Sequence, residues 1–238
     1  MALEFDFQLP MLRRPLFVSS MTLDFDQFVR ENTELRSTEL IPEVKLHLVG
    51  ELLPLWHATD AAGVTPTGEP PFWAFAWIGG QAMTRFILDH PDEVRGLRVF
   101  DFATGSGLSG IAAALAGAAY VKASDIDVLA CCATRLNAAA NSVDVQVVQE
   151  DVIGSPMDDF DVILAGDICY EAKTAKRVHV WLEQLWRSGK RVILGDPGRA
   201  YFPYEAMECL ARYSVPTTTE VEAVDLRAAS VWTFKAEP

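Results

Sequence analysis

The chain has 238 residues, 50% of them hydrophobic, enough apolar material for one substantial α/β domain plus an extension. Its 33 Asp and Glu against 20 Lys and Arg leave a formal charge of -13 with no local basic stripe, which argues against a nucleic-acid partner and suits a basic protein segment, although such acidity also serves plain solubility. No apolar run reaches the ~18 residues needed to cross a bilayer, Cys131, Cys132, Cys169 and Cys209 lack zinc-site or disulfide-framework spacing, and His47, His57, His90 and His179 form no cluster, so no membrane, metal or crosslinked scaffold is expected.

In chain order, residues 1 to about 70 form an N-terminal, mainly helical extension, suited to act as a lid. Glu4 and Asp6 stand where a targeting peptide would carry only basic charge. Leu23 to Leu35 has the spacing of one amphipathic helix, Val44, Leu46 and Leu48 alternate like a short strand, and Ala61 to Pro71 reads as a Gly/Pro/Thr loop. The domain proper occupies residues 71–238. A helix begins near Gly80 and must stop at His90-Pro91, because proline disfavours helix in the residue before it. Strands are expected at Leu97–Phe102, Ala119–Asp125, Val143–Gln149, Phe160–Gly166 and Arg191–Gly195, with helices between most of them. That alternation implies a mostly parallel sheet covered by helices on both faces. Thr217–Val224 and Ser230–Lys235 then read as two strands whose short link permits only antiparallel pairing, giving a Rossmann-like sheet of seven strands that closes in a C-terminal hairpin.

The chemistry begins at the end of the first of these strands, Asp101-Phe102-Ala103-Thr104-Gly105-Ser106-Gly107. Gly105 and Gly107 allow a tight strand-to-helix turn whose backbone can approach a ligand closely. Gly105, Gly107 and Gly110 also satisfy G-x-G-x-x-G, with Asp125 20 residues beyond Gly105 where a dinucleotide site places its ribose-binding acid. Asp101 favours a different ligand, since a carboxylate ahead of the glycines suits the cationic amino group of a methionine moiety and suits a pyrophosphate poorly. Asp125 can take both ribose hydroxyls, and Glu150-Asp151 can accept from the adenine amine, each at the carboxyl edge where open α/β sheets bind ligands. Either Asp125 or Asp127 can instead cap the following helix.

Three further motifs carry a resemblance. Pro71-Phe72-Trp73-Ala74-Phe75-Ala76-Trp77-Ile78-Gly79-Gly80-Gln81-Ala82, Gly166-Asp167-Ile168-Cys169-Tyr170-Glu171 and Gly195-Asp196-Pro197-Gly198-Arg199 are similar to W-A-F-x-W-x-G-G-Q-A, G-D-x-x-Y-D and G-D-P-G-R of the electron transfer flavoprotein β-subunit lysine methyltransferases. Two departures stand out. Glu171 replaces the usual Asp, and Phe102-Ala103-Thr104 replaces the commoner Leu-Gly-x segment, a change expected to affect only loop packing.

The resemblance implies a seven-stranded, class I S-adenosyl-L-methionine-dependent protein-lysine methyltransferase, cytoplasmic in a bacterium or in the mitochondrial matrix of a eukaryote. Its implied substrate is the electron transfer flavoprotein β subunit, on a loop that meets partner dehydrogenases. Trp73, Trp77, Asp101, Gly105, Gly107, Asp125 and Asp151 are then expected to bind cofactor. Asp167 and Tyr170 border the reacting lysine, and Glu171, Asp196 and Arg199 contact the substrate, the first two forming an acidic rim with Asp167. Aromatic faces suit a sulfonium or ammonium cation, whereas Phe72 and Phe75 serve equally well as core. Methyltransferases acting on another protein or a small amine, a noncatalytic cofactor-binding module and an NAD oxidoreductase are the alternatives.

Overall fold

Apolar runs bounded by turn residues build most of the sheet, and the exceptions lie near the two ends of the chain. The computed structural model describes residues 24–50, 52–62, 70–217 and 226–236. Helix α1 (Phe25–Asn32) is capped by Asp24, whose side chain accepts the Gln27 N–H. It does not reach Leu35 as its apolar spacing suggests. Thr33 leaves in extended backbone, its hydroxyl donates to the Val29 carbonyl, and strand β1 (Glu34–Arg36) pairs antiparallel with β2 (Leu46–Leu48). Helix α2 (Leu52–Ala62) follows, unannounced by periodicity. Its Pro54 falls in the first turn, where a missing N–H leaves no helical acceptor unsatisfied. This helix takes Ala61 and Ala62 from the expected loop, of which residues 63–69 lie outside the described residues. The described residues of the extension thus form two short helices and a small hairpin.

A 3-10 turn at Phe72–Ala74 leads to helix α3 (Ile78–Asp89), which ends before Pro91 as its sequence requires. The alternation then runs β3 (Arg98–Phe102), α4 (Leu108–Leu115), β4 (Tyr120–Asp125), α5 (Val128–Ala140), β5 (Gln146–Gln149), β6 (Val162–Gly166), α6 (Ala172–Arg187) and β7 (Arg191–Asp196). The last strands are β8 (Met207–Pro216) and β9 (Leu226–Phe234). One seven-stranded sheet has the order β5-β4-β3-β6-β7-β9-β8, parallel from β5 to β7 and antiparallel at β9 and β8. Of the strand expected at Thr217–Val224, residues 218–224 lie outside the described residues; the expected hairpin is present, formed by Met207–Pro216 with β9. A bulge at Leu210, which shifts the register between Cys209 and Ala211, breaks the plain alternation that would have revealed this strand.

Neighbouring residues of the central strands point to opposite faces. Val99 and Leu164 pack with α3, α4 and the hairpin residues Leu46 and Leu48, while Phe100 and Ile163 pack with Trp181, Leu182 and Leu185 of α6. Each large side chain buried this way contributes roughly 1.5–3 kcal/mol. A third cluster joins Phe28, Leu55 and Trp73 to Leu129 and Ala133 of α5, so the extension shares the body's core. Fully buried Asn137 of α5 accepts the His47 N–H (2.7 Å) and donates to the Ser106 carbonyl (2.8 Å), joining the hairpin to the glycine loop. No described helix is long and apolar enough to cross a membrane.

Candidate active site

At the end of β3, Asp101 is only 2% exposed. Its Oδ2 accepts the Thr104 hydroxyl and the Gly110 N–H (3.0 Å), and its Oδ1 has no protein partner among the described residues. Burial pushes its pKa up to about 6, outweighing the lowering by those two hydrogen bonds. Gly105, at φ 53°, donates to Asp125 Oδ2 (2.9 Å), and a Cβ there would meet only the Trp73 Cα at 3.9 Å. The space over Gly105 is thus open. Gly107 differs from expectation: at φ 81°, its missing Cβ makes room for α5, since a Cβ would fall 2.8 Å from Thr134 Cγ2. Ala103 carries a side chain at φ 50°, so the departure before Gly105 changes backbone strain as well as packing.

Asp125 ends β4. Its second oxygen accepts the Asp127 N–H (3.1 Å), burial raises its pKa, and Asp127, not Asp125, caps α5. Beside it Ile126 is 70% exposed, an apolar surface with no motif in the sequence to mark it. Asp151 is not brought to these groups. It is exposed, accepts the Ile153 N–H and faces Arg177 of α6 at 3.6 Å.

The end of β6 carries Asp167, buried and at φ 56°. Its Oδ2 accepts the Gly80 N–H at the start of α3 (2.8 Å) and its Oδ1 accepts from Arg199 (2.9 Å). Burial pushes the pKa up to about 6, while the guanidinium and the Gly80 hydrogen bond pull it down. Glycine makes this approach possible: a Cβ on Gly79 or Gly195 would overlap the other's carbonyl, and one on Gly166 would meet the Gly80 Cα at 3.1 Å. Glycines from all three motifs, Gly79, Gly80, Gly166 and Gly195, mark where α3 crosses β6 and β7.

Asp196 is buried and cannot form the expected acidic rim. Its Oδ1 accepts the Gly198 and Arg199 N–H groups (2.7 and 2.8 Å), Oδ2 is buried without a partner among the described residues, and burial raises its pKa. It builds the turn that presents Arg199, whose guanidinium lies 5.6 Å from the Trp77 ring centre. Trp77 donates to the Phe72 carbonyl (2.8 Å), and the Phe72 ring stands 5.7 Å from Trp77 and 5.7 Å from Tyr170, which is 55% exposed. Glu171, exposed at the α6 N-cap, accepts from the Thr174 hydroxyl. Trp73 departs from expectation: its indole is 1% exposed in the core beneath the extension, and only its backbone lies beside Gly105. Sequence reasoning missed the Gly80 N–H and the contacts that tie Arg199 to Asp167 and Trp77.

Asp101, Thr104 and Gly105 therefore share one cleft with Gly166 and Asp167, with Trp77 and Phe75 on its wall. A family model for ribosomal protein L11 methyltransferase (PrmA) matches residues 82–170. The electron transfer flavoprotein beta subunit lysine methyltransferase of Xenopus laevis is 39% identical over 214 residues, 87% of this chain and 86% of the relative. That of Rattus norvegicus is 34% identical over 223 residues, 91% of this chain and 86% of the relative. The chain belongs to this lysine methyltransferase family. Among solved structures, magnesium protoporphyrin IX methyltransferase from Synechocystis PCC 6803 aligns at TM-score 0.49 and 15% identity, covering 66% of this chain and 81% of that one. As a member of the family the chain is a methyltransferase that uses S-adenosylmethionine. The residues present fit that group: the open space over Gly105 admits close backbone approach, Asp101 Oδ1 suits an ammonium, and the Asp125 carboxylate retains lone pairs for hydroxyls.

Proposed function

We propose that the chain methylates lysine side chains of the electron transfer flavoprotein beta subunit, the substrate named for its relatives. The observation that carries this reading is the shared cleft, in which the glycine-loop groups and Asp167 face one space. Asp101, Gly105 and Asp125 hold the cofactor, Ile126 covers an apolar part of it, and Trp77 lines the wall. S-adenosylmethionine, when bound, supplies an electrophilic methyl group; the protein's own contribution is positioning.

Asp167 captures and orients the incoming ammonium, with Tyr170 and Phe72 beside it. A free lysine of pKa ≈ 10.4 is neutral in roughly one molecule in 2,500 at pH 7, and a bare carboxylate would lower that fraction further. Arg199 offsets this pull, because its guanidinium already neutralises part of the Asp167 charge. The lysine proton then leaves to water. Glu171 is the exposed carboxylate at this strand end and attracts a basic segment at longer range. Methylation keeps the lysine charge while removing hydrogen-bond donors and adding apolar bulk, which modulates docking without abolishing attraction.

Purified enzyme with tritium-labelled cofactor should label lysines of recombinant flavoprotein or of its beta subunit alone. The match to the ribosomal protein L11 methyltransferase model favours a second reading, methylation of a ribosomal protein. Label confined to a ribosomal protein fraction would select that reading and remove the first.

A further inference from the structure

A second cavity, of about 240 Å³, lies between the extension and the body. Its mouth is the β1–β2 hairpin at Arg36–Glu39, and its inner surface includes Leu48, Phe75 and Ile78, all buried. Phe75 and Trp77 line both this cavity and the cleft that holds Asp101 and Asp167. The two spaces are back to back across one pair of aromatic rings. Pro216 also lines it; β8 and β9 place that residue at the same edge of the sheet as Asp196, because Ser230 of β9 faces Asp196 and Leu226 faces Pro216.

We infer that this cavity is a specificity subsite, taking an aliphatic side chain next to the target lysine in a basic segment of the protein substrate. The inference rests on the lysine methyltransferase reading above. At about 30 Å³ per water, the cavity holds the equivalent of about eight waters, room for one apolar side chain. Leu48, Ala74, Phe75 and Ile78 make the buried wall apolar except at Gln81, whose amide nitrogen donates to the Ala76 carbonyl (2.7 Å), so an aliphatic group gains by entering and a charged one does not. Arg36 and Val49 both line the cavity, and the Arg36 guanidinium is fixed at its wall by the Val49 carbonyl (2.6 Å). Glu39, exposed at the mouth, has no ion-pair partner among the described residues and meets a basic segment with complementary charge.

Ser37 is exposed at the mouth, so Ser37→Trp fills the entrance without disturbing the core. With the recombinant beta subunit as substrate, its KM should rise about tenfold or more, the size expected for one lost aliphatic contact. Its kcat should stay within about twofold of wild type, and S-adenosylhomocysteine affinity, read by calorimetry, should not change. Glu39→Lys should raise KM severalfold at low salt and less at high salt. If Ser37→Trp lost S-adenosylhomocysteine binding through misfolding, Glu39→Lys would decide alone. A KM within twofold of wild type in the folded variants overturns the subsite. Absence of label from the wild-type reaction, by contrast, removes the substrate reading and the subsite with it.

Discussion

The two halves of the cleft hold their carboxylates by different means. On the β3–β4 side, Asp101 and Asp125 are held by Thr104, Gly105, Gly110 and Asp127, all within residues 101–127. On the β6–β7 side, Asp167 is held by Gly80, 87 positions away, and by Arg199, 32 positions away. The first half is a set of local turns that one stretch of chain can specify. The second exists only while α3 lies against β6 and β7.

Gly195→Ala tests that dependence most severely. Its Cβ would overlap the Gly79 carbonyl, backbone that cannot swing aside, so α3 must lift from the sheet. Urea denaturation should show a loss of at least ~3 kcal/mol or no folded protein. A loss under 1 kcal/mol would show that the seating of α3 is softer than the geometry implies.

Paired substitutions then separate the halves by function. Asp101→Asn should weaken S-adenosylhomocysteine binding by about 100-fold, the scale of one buried charge-assisted contact, while Asp167→Asn keeps it within about threefold. Conversely Asp167→Asn should lower kcat/KM for the protein substrate by about 100-fold. An Asp167→Asn enzyme with wild-type kcat/KM would remove Asp167 from the chemistry.

Acidity sharpens the same contrast. Burial leaves Asp101 with a pKa of about 6, so lowering the pH through 6 protonates it and removes the charge that faces the ligand's ammonium. Binding should hold steady above about pH 7 and weaken towards about tenfold per unit below 6. A pH-independent affinity between 5 and 7 would mean that Asp101 does not meet that group.

A smaller effect has the opposite sign. Ala103 holds a left-handed backbone at φ 50°, which costs an L-residue about 1 kcal/mol, so Ala103→Gly should stabilise the enzyme by up to that amount. The thermal midpoint should rise by a few degrees. Asp151→Asn should do least: because Asp151 faces Arg177 at the surface, cofactor affinity should change by less than about threefold. A tenfold loss would restore its expected place in the cofactor site.

These contrasts also explain what was legible beforehand. Strands β6 and β7 announce themselves because both faces are buried and their runs are apolar, and Asp101 and Asp125 could be placed because a strand end fixes where a carboxylate stands. The helix at Leu52–Ala62 was hidden by Pro54, and β8 by its bulge. Trp73 and Trp77 share one motif, yet a 3-10 turn sends one indole into the core and the other to the cleft, a choice that spacing does not encode. The pairing of Asp151 with Arg177 could not be read from the sequence because Arg177 arrives from a different element, α6. Arg199 could be listed as a substrate contact, but its attachment to Asp167 depends on the turn built by Asp196.

The Asn137 amide that joins His47 to Ser106 gives the extension a thermodynamic voice in the cofactor site. One side chain serves two masters, with its oxygen committed to the hairpin and its nitrogen to the glycine loop. Free-energy coupling is reciprocal. Anything that firms the loop therefore firms the hairpin, and with it the mouth of the second cavity. Cofactor occupancy and readiness for the protein substrate then become linked variables, each shifting the other by the same factor.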